Sequence, residues 1–281
     1  MLASRSLLLA AALMLAGSAP VTALVLPEIA EMVPHRAVYE IKLGQATSAA
    51  GITDVRGRLV FEFTGSQCEG YSQSLRFVMS ITNREGTLTV SDLRSTTWED
   101  AVGGVFRFDI QNLENQQPTE ATIGTAKRDD TGRLEIALTK PVVTNLDFPG
   151  PVIFPLQHTA QLIAAAKRGE PRFEASVFDG SDLGQKVFQT SAAIGKAGAG
   201  DPTELDGVAN AESLKGQSSW PMTVAYFNAG AGLGEGIPEH EMSFRVYPNG
   251  VIRSVKLDYG TLRLDGRLSQ IEFLAAKPCG G

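Results

Sequence analysis

Cys68 and Cys279 are the only cysteines, and His35, His158 and His240 the only histidines. A zinc site needs three or four close ligands of such types. The nearest approach is Glu239-His240-Glu241. In a strand, Glu239 and Glu241 share one face and His240 points the other way, so the tripeptide is a poor chelator. Asp179-Gly180-Ser181-Asp182 offers oxygen ligands but lacks the acidic spacing of a calcium loop. It reads as a β-turn. Glycines 230, 232, 234 and 236 alternate as in a nucleotide loop. Such a loop must lead from a strand into a helix N-terminus, whereas Pro238 and a strand pattern follow here. A hairpin loop fits better. No Gly-x-Ser-x-Gly elbow presents a serine to a histidine. Thirty-one Asp and Glu residues give too many pairs to single out two glycosidase carboxylates. The expectation is a protein that is not an enzyme, with no metal and no cofactor.

The two cysteines make sense in an oxidising compartment, where a lone pair of thiols joins. The first 23 residues supply the address. Arg5 is a positive start, residues 7–16 are apolar, and Val21-Thr22-Ala23 places small residues before a cut after Ala23. The apolar run is well short of the roughly 20 residues of a membrane helix, and no later segment is long enough. Leu15-Ala16-Gly17-Ser18 is close to a lipoprotein box, but serine stands where the lipidated cysteine belongs. The reading is a cleaved signal peptide over 1–23 and a periplasmic domain over 24–281. A Cys68–Cys279 disulfide would fasten the last strand to an early one and hold the ends of a curled sheet together. Loop-closure entropy sets its worth at about 5 kcal/mol at most.

The elements that must carry these residues repeat with a period of two. Leu59, Phe61 and Phe63 alternate with polar or outward positions, as do Leu75, Phe77, Met79 and Ile81. Phe106, Phe108 and Ile110 repeat the pattern, and so do Leu134, Ile136 and Leu138. These are antiparallel strands with one buried face. Met242, Phe244 and Val246 lead into the turn Pro248-Asn249-Gly250, a returning strand from Val251 to Tyr259, and a long last strand from Thr261 to Leu274. One segment breaks the rhythm. From Pro155 to Arg168, Leu156, Ala160 and Ile163 fall at helical spacing, with proline at the start and Gly169 past the end. Residues 195–219 look like a loop, with a short strand over Val208 to Leu214. The fold class is all-β: one strongly curved antiparallel sheet of about 13–14 strands with one helix, since so many strands must curl.

Composition agrees. The chain has 281 residues, 43% hydrophobic and 20% charged, enough apolar content for a packed core. Its net charge of −6 gives no basic groove for nucleic acid. A curled sheet with one helix has a natural cleft between them, and Phe154, His158, Leu162 and Tyr226 are the candidates to line it.

In this order the features resemble the EipB-like family of alphaproteobacterial periplasmic proteins. The likeness is carried by His35-Arg36-Ala37 with Tyr39 and Leu43, Cys68-Glu69-Gly70-Tyr71, and Phe154-Pro155 with His158. It continues through Phe178-Asp179-Gly180-Ser181-Asp182, Trp220-Pro221 and Tyr226-Phe227. It closes with residues 243–251, Asp258-Tyr259-Gly260 and Cys279. The resemblance implies a β-spiral with a helix set against it, a disulfide, a part in maintaining the Gram-negative cell envelope without enzymatic activity, and a periplasmic tetratricopeptide-repeat partner. Two uses of the concavity follow as expectations: binding a protein partner, lipid or peptide, or carrying a lipid or lipoprotein between membranes.

The leader reading predicts that N-terminal sequencing of the periplasmic fraction starts at Leu24. An uncut, membrane-bound chain would reject it.

Overall fold

The computed structural model describes residues 29, 31–228, 236–276 and 279. The expected signal peptide over 1–23 and the glycines at 230, 232 and 234 lie outside the described residues. Fifteen strands form one sheet. The first eight are β1 (His35–Ala46), β2 (Ile52–Ser66), β3 (Gly70–Asn83), β4 (Leu88–Glu99), β5 (Val105–Glu114), β6 (Gln117–Arg128), β7 (Leu134–Lys140) and β8 (Thr144–Phe148). After β9 (Val152–Ile153) comes the helix α1 (Pro155–Lys167). The rest are β10 (Arg172–Val177), β11 (Phe188–Ile194), β12 (Trp220–Asn228), β13 (His240–Val246), β14 (Ile252–Asp258) and β15 (Leu262–Phe273).

The sheet runs β8-β7-β6-β5-β4-β3-β2-β1-β15-β14-β13-β12-β11-β10-β9. Every pair is a simple antiparallel neighbour except β9 and β10, which are parallel. The strand count thus exceeds the sequence expectation, and the sheet is mixed. The edge strands β8 and β9, five and two residues long, are too short to show a clear alternation. The expected strand over Val208 to Leu214 is instead one bridge, Ala209 to Gln270, followed by a 3-10 turn at Glu212–Leu214. That segment spends its apolar residues on the core: Leu205, Ala211 and Leu214 are buried against β1 and β15. Two arginines hold it down. Arg253, 1% exposed, pairs with Glu204 at 2.9 Å and donates to the Ala199 carbonyl, and Arg245 donates to the carbonyls of Gly198 and Ser219.

The alternation read from the sequence is the inside and outside of this wall. Inner positions form the core, and outer ones carry ion pairs such as Arg58 to Glu40 and the two arginines, Arg76 and Arg94, on Asp92. The half-exposed guanidinium groups add little stability individually. The helix seals one end. Pro155 occupies its first turn, and Gly169 takes φ +74° just beyond it. Its inner stripe, with Leu162, Ile163 and Ala166, packs with Val224, Phe244 and Val246 of the sheet.

Cys68 and Cys279 form a disulfide with Cα atoms 5.6 Å apart, across a sequence separation of 211. The expectation that it joins the ends of the sheet is corrected by the strand order. The outermost strands are β8 and β9, while the first and last strands meet in the middle, where β1 pairs with β15. The bond therefore ties the chain beyond β15 to the β2–β3 turn, across the end of β1. It protects a C-terminal end that would otherwise fray.

Cys68→Ser, Cys279→Ser and the double variant should lose the same stability, about 2–5 kcal/mol, because each removes one bond. Faster proteolysis from the C-terminus should accompany the loss. A fully titratable thiol in oxidised wild-type protein would contradict this.

Candidate functional site

The interior has two unlike ends. At the helix end it is filled. Phe106 stacks on Phe154 with centroids 5.2 Å apart, and Phe178 meets Phe106 edge-on at 6.1 Å. Phe63 stacks on Tyr71 at 5.5 Å, in a cluster with Leu156 and Ala160 of α1. Glu99, at the end of β4, reaches into this packing and accepts the Leu156 N–H at 2.7 Å. Its carboxyl oxygen thereby satisfies one of the unpaired N–H groups at the α1 N-terminus. Gln157 donates to the Val102 carbonyl, and Arg128 donates to Gln157 and to the Val152 carbonyl. Burial nonetheless dominates at Glu99, which is 2% exposed. It pushes the carboxyl up to about 8, against the lowering pull of the Leu156 and Gln157 N–H donors.

The four sequence-predicted lining residues fall as follows. Phe154 is buried among Phe106, Phe108 and Phe178. Leu162 is buried in the separate cluster between α1 and the sheet, against which Tyr226 also packs. His158 is buried, with Nε2 3.2 Å from the Thr190 hydroxyl. That hydroxyl donates to the Ala175 carbonyl at 2.9 Å, so its oxygen accepts a proton from Nε2. Burial drives the imidazole down to about 4 and keeps it neutral. Tyr226 is half-buried and stacks on His240 at 4.4 Å. Phe188 meets both rings edge-on at 5.8 Å. The structure thus groups Leu162 with Tyr226 and sets Phe154 apart.

The weaker motifs find structural roles. Asp179 accepts from the Ser181 N–H and hydroxyl at 2.9 and 2.7 Å, closing its own turn. The turn sits hard against the sheet. A Cβ at Gly180 would lie 2.8 Å from the Phe108 ring, and one at Gly184 2.7 Å from Leu138. Both glycines also hold positive φ, +78° and +68°. Glu239 pairs with Lys186, while His240 lies in register with Tyr226. No group of three or more His, Cys, Asp or Glu among the described residues could hold a metal.

The other end of the interior went unread in the sequence as a site. Inner positions of β2 to β5 carry Leu59, Phe61, Leu75, Met79, Ile81, Leu93 and Ile110, all only half-covered. Register makes them neighbours: Leu59 faces Phe77, which faces Leu93, and Phe61 faces Leu75. Small Ser91 and Ser95 stand opposite Met79 and Leu75. The result is a contiguous apolar stretch on the concave wall, partly buried against the core centred on β1 and β15. The signal was present in the alternation, which marks these residues as inner without showing that they stay partly accessible.

Comparison with known proteins follows this geometry. The EipB-like family profile matches residues 27–275. The chain is 34% identical over 244 residues to the cell envelope integrity protein EipB of Brucella abortus (strain 2308), covering 86% of this chain and 84% of that protein. The crystal structure of a β-barrel-like protein of a domain of unknown function from Brucella abortus superposes with a TM-score of 0.79 at 33% identity. The match covers 87% of this chain and 99% of that one.

The buried carboxyl generates a pH prediction. Glu99 keeps its proton in the fold to about 8 but loses it near 4.5 in the unfolded chain. Its contribution is therefore complete below the unfolded value and is lost as pH rises between the two. Glu99→Gln keeps a neutral acceptor for Leu156. Its thermal midpoint should exceed that of wild type most at about pH 8.5, with the gap narrowing towards about pH 5. A gap independent of pH would show that this carboxyl does not titrate with folding.

Proposed function

The chain belongs to the EipB-like family of cell envelope integrity proteins, and from that premise we propose that it works in the periplasm as a non-enzymatic binding protein. It takes a protein partner or an envelope ligand into the concavity of its curved sheet. The observation that carries this reading is the half-covered apolar wall of β2 to β5. A contiguous apolar stretch that stays partly accessible on a folded protein is a candidate interaction surface. The histidines, by contrast, are engaged in structural contacts: His35 with the Val33 carbonyl, His158 with Thr190, and His240 in the ring stack. The protein partner is of the tetratricopeptide-repeat class, a reading that rests on the family resemblance.

A second reading, a lipid or lipoprotein carrier, is favoured by the same wall, because a contiguous apolar surface inside a curled sheet would shield a hydrocarbon in transit.

Complementation tests the concavity. In a deletion strain under envelope stress, wild type should restore growth, Ser95→Trp should not, and Thr96→Trp should. Ser95 lies opposite Leu75 on the inner wall, and Thr96, the next residue, points outward beside Ser74. Both variants must keep the wild-type thermal midpoint. Full rescue by a folded Ser95→Trp would reject the reading.

A further inference from the structure

We propose that the outer face of β1, β2 and β3 carries a binding site for a phosphorylated sugar, on the side of the sheet opposite the concavity. A hollow of about 660 Å³ lies there, with Lys42, Arg56 and Arg58 on its walls and Val78 and Ser80 among them. Ligand sites typically measure about 300–1,000 Å³. Register gathers these residues: Lys42 lies opposite Arg56, Arg56 faces Ser80, and Arg58 faces Val78. All five alternate with inner residues such as Ile41, Val55 and Phe77, so they point outward. β2 and β3 close in so tightly here that a Cβ at Gly57 would lie 2.5 Å from the Val78 carbonyl oxygen.

The hollow is positive on an acidic chain. Arg76 and Arg94 stand beside it on the same face and share Asp92, which lies opposite Val78. With Lys42, Arg56 and Arg58 they make five cations against three carboxylates, Glu40, Asp54 and Asp92. The whole chain, by contrast, has a net charge of −6. Lys42 is exposed and forms no ion pair among the described residues, while Asp265, its neighbour on β15, lies 4.0 Å from Arg263. Arg58 donates to one oxygen of Glu40 at 2.9 Å, and Arg56 to one oxygen of Asp54 at 3.1 Å. Most of the five N–H donors on each guanidinium are left for a ligand. Exposed pairs of this kind add little to stability, so folding alone does not account for the cluster.

The chemistry selects the ligand. A carboxylate arriving here would only exchange with Glu40 and Asp54, which already offer the same group. A phosphomonoester carries up to two charges and three acceptor oxygens, so it bridges two guanidinium groups at once, the geometry that arginine favours. An extended peptide gains nothing from the backbone, because β1, β2 and β3 are each paired on both sides. A bare phosphate ion would leave most of the hollow empty. A sugar ring fills it, with its C–H face on Val78 and the aliphatic stems of Lys42 and Arg56, and a hydroxyl within reach of Ser80.

The test is isothermal titration calorimetry of the full chain at low salt with glucose 1-phosphate. Wild type should bind it at one saturable site, about tenfold or more tighter than inorganic phosphate or glucuronate. Arg56→Gln and Arg58→Gln should each weaken binding by about tenfold or more. Arg172→Glu, exposed on β10 away from the hollow, should bind as wild type. Thermal midpoints must match, and two arginine variants guard against misfolding of one. Binding should weaken below about pH 6, where the phosphate takes up its second proton; no histidine lines the hollow. Absence of saturable binding, or arginine variants that bind like wild type, overturns the proposal. Equal affinity for inorganic phosphate overturns the sugar, and equal affinity for glucuronate reduces the site to general charge attraction and overturns the phosphate.

Discussion

The ladder stops at β8 on one side and at β9 on the other, and no strand pairing joins those two edges among the described residues. A sheet of fifteen strands with one apolar face must curl to hide that face, yet its edges must also be satisfied. Here side chains do the closing. Leu134, Ile136 and Leu138 of β7, with Leu146 and Phe148 of β8, pack with Val152, Phe154, Phe178 and Val187 from the other edge. Beside this cluster, Arg128 reaches the Val152 carbonyl of β9, and Glu99 holds the first N–H groups of α1. The Asp179 turn fills the remaining gap, which is why it needs glycine where it touches Phe108 and Leu138. Seam, helix cap and mid-chain motif are one solution to one problem.

Placing the seam in the middle of the sequence has a second consequence. The first and last strands come together where β1 pairs with β15 along nearly its full length. This is the most non-local pairing in the molecule, and its loop-closure entropy must be met before the contact forms. Tyr39 reinforces it by donating to the Ile252 carbonyl at 2.7 Å. The disulfide constrains the same closure in the unfolded chain. Its place beside β1, rather than at the sheet edges, follows from what is entropically expensive here. The edges are already held by sequence neighbours, since only three residues separate β8 from β9.

Much of this was legible in the sequence, and the reasons are local. Leu75, Phe77, Met79 and Ile81 declare a strand because a period of two survives any tertiary context that buries one face. Pro155, Lys167 and Gly169 declare the ends of α1 because end-effects are backbone chemistry. The cysteine pair follows from the compartment and from there being only two. What was illegible depends on distance. β9 is two residues long and exists because β10 is beside it. Glu99 looks like any strand-end acid until α1 is set on top of it. Phe154, His158 and Leu162 sit beside or on α1, where stacked phenylalanines and the sheet bury them.

The same logic explains why the interior is graded. Stacked phenylalanines, the capped helix and the seam share one end. The walls beyond that end are held by their own hydrogen-bonded ladders and need no apolar plug to stay in register. Inner residues there can remain half-covered without endangering the fold. Alternation still requires them to be apolar, because a polar inner face would lose the preference for curling inward. A sheet curled around α1 at one end therefore keeps a partly buried apolar wall at the other. On this account the partly buried wall of β2 to β5 belongs with the core centred on β1 and β15 rather than with the packing around α1.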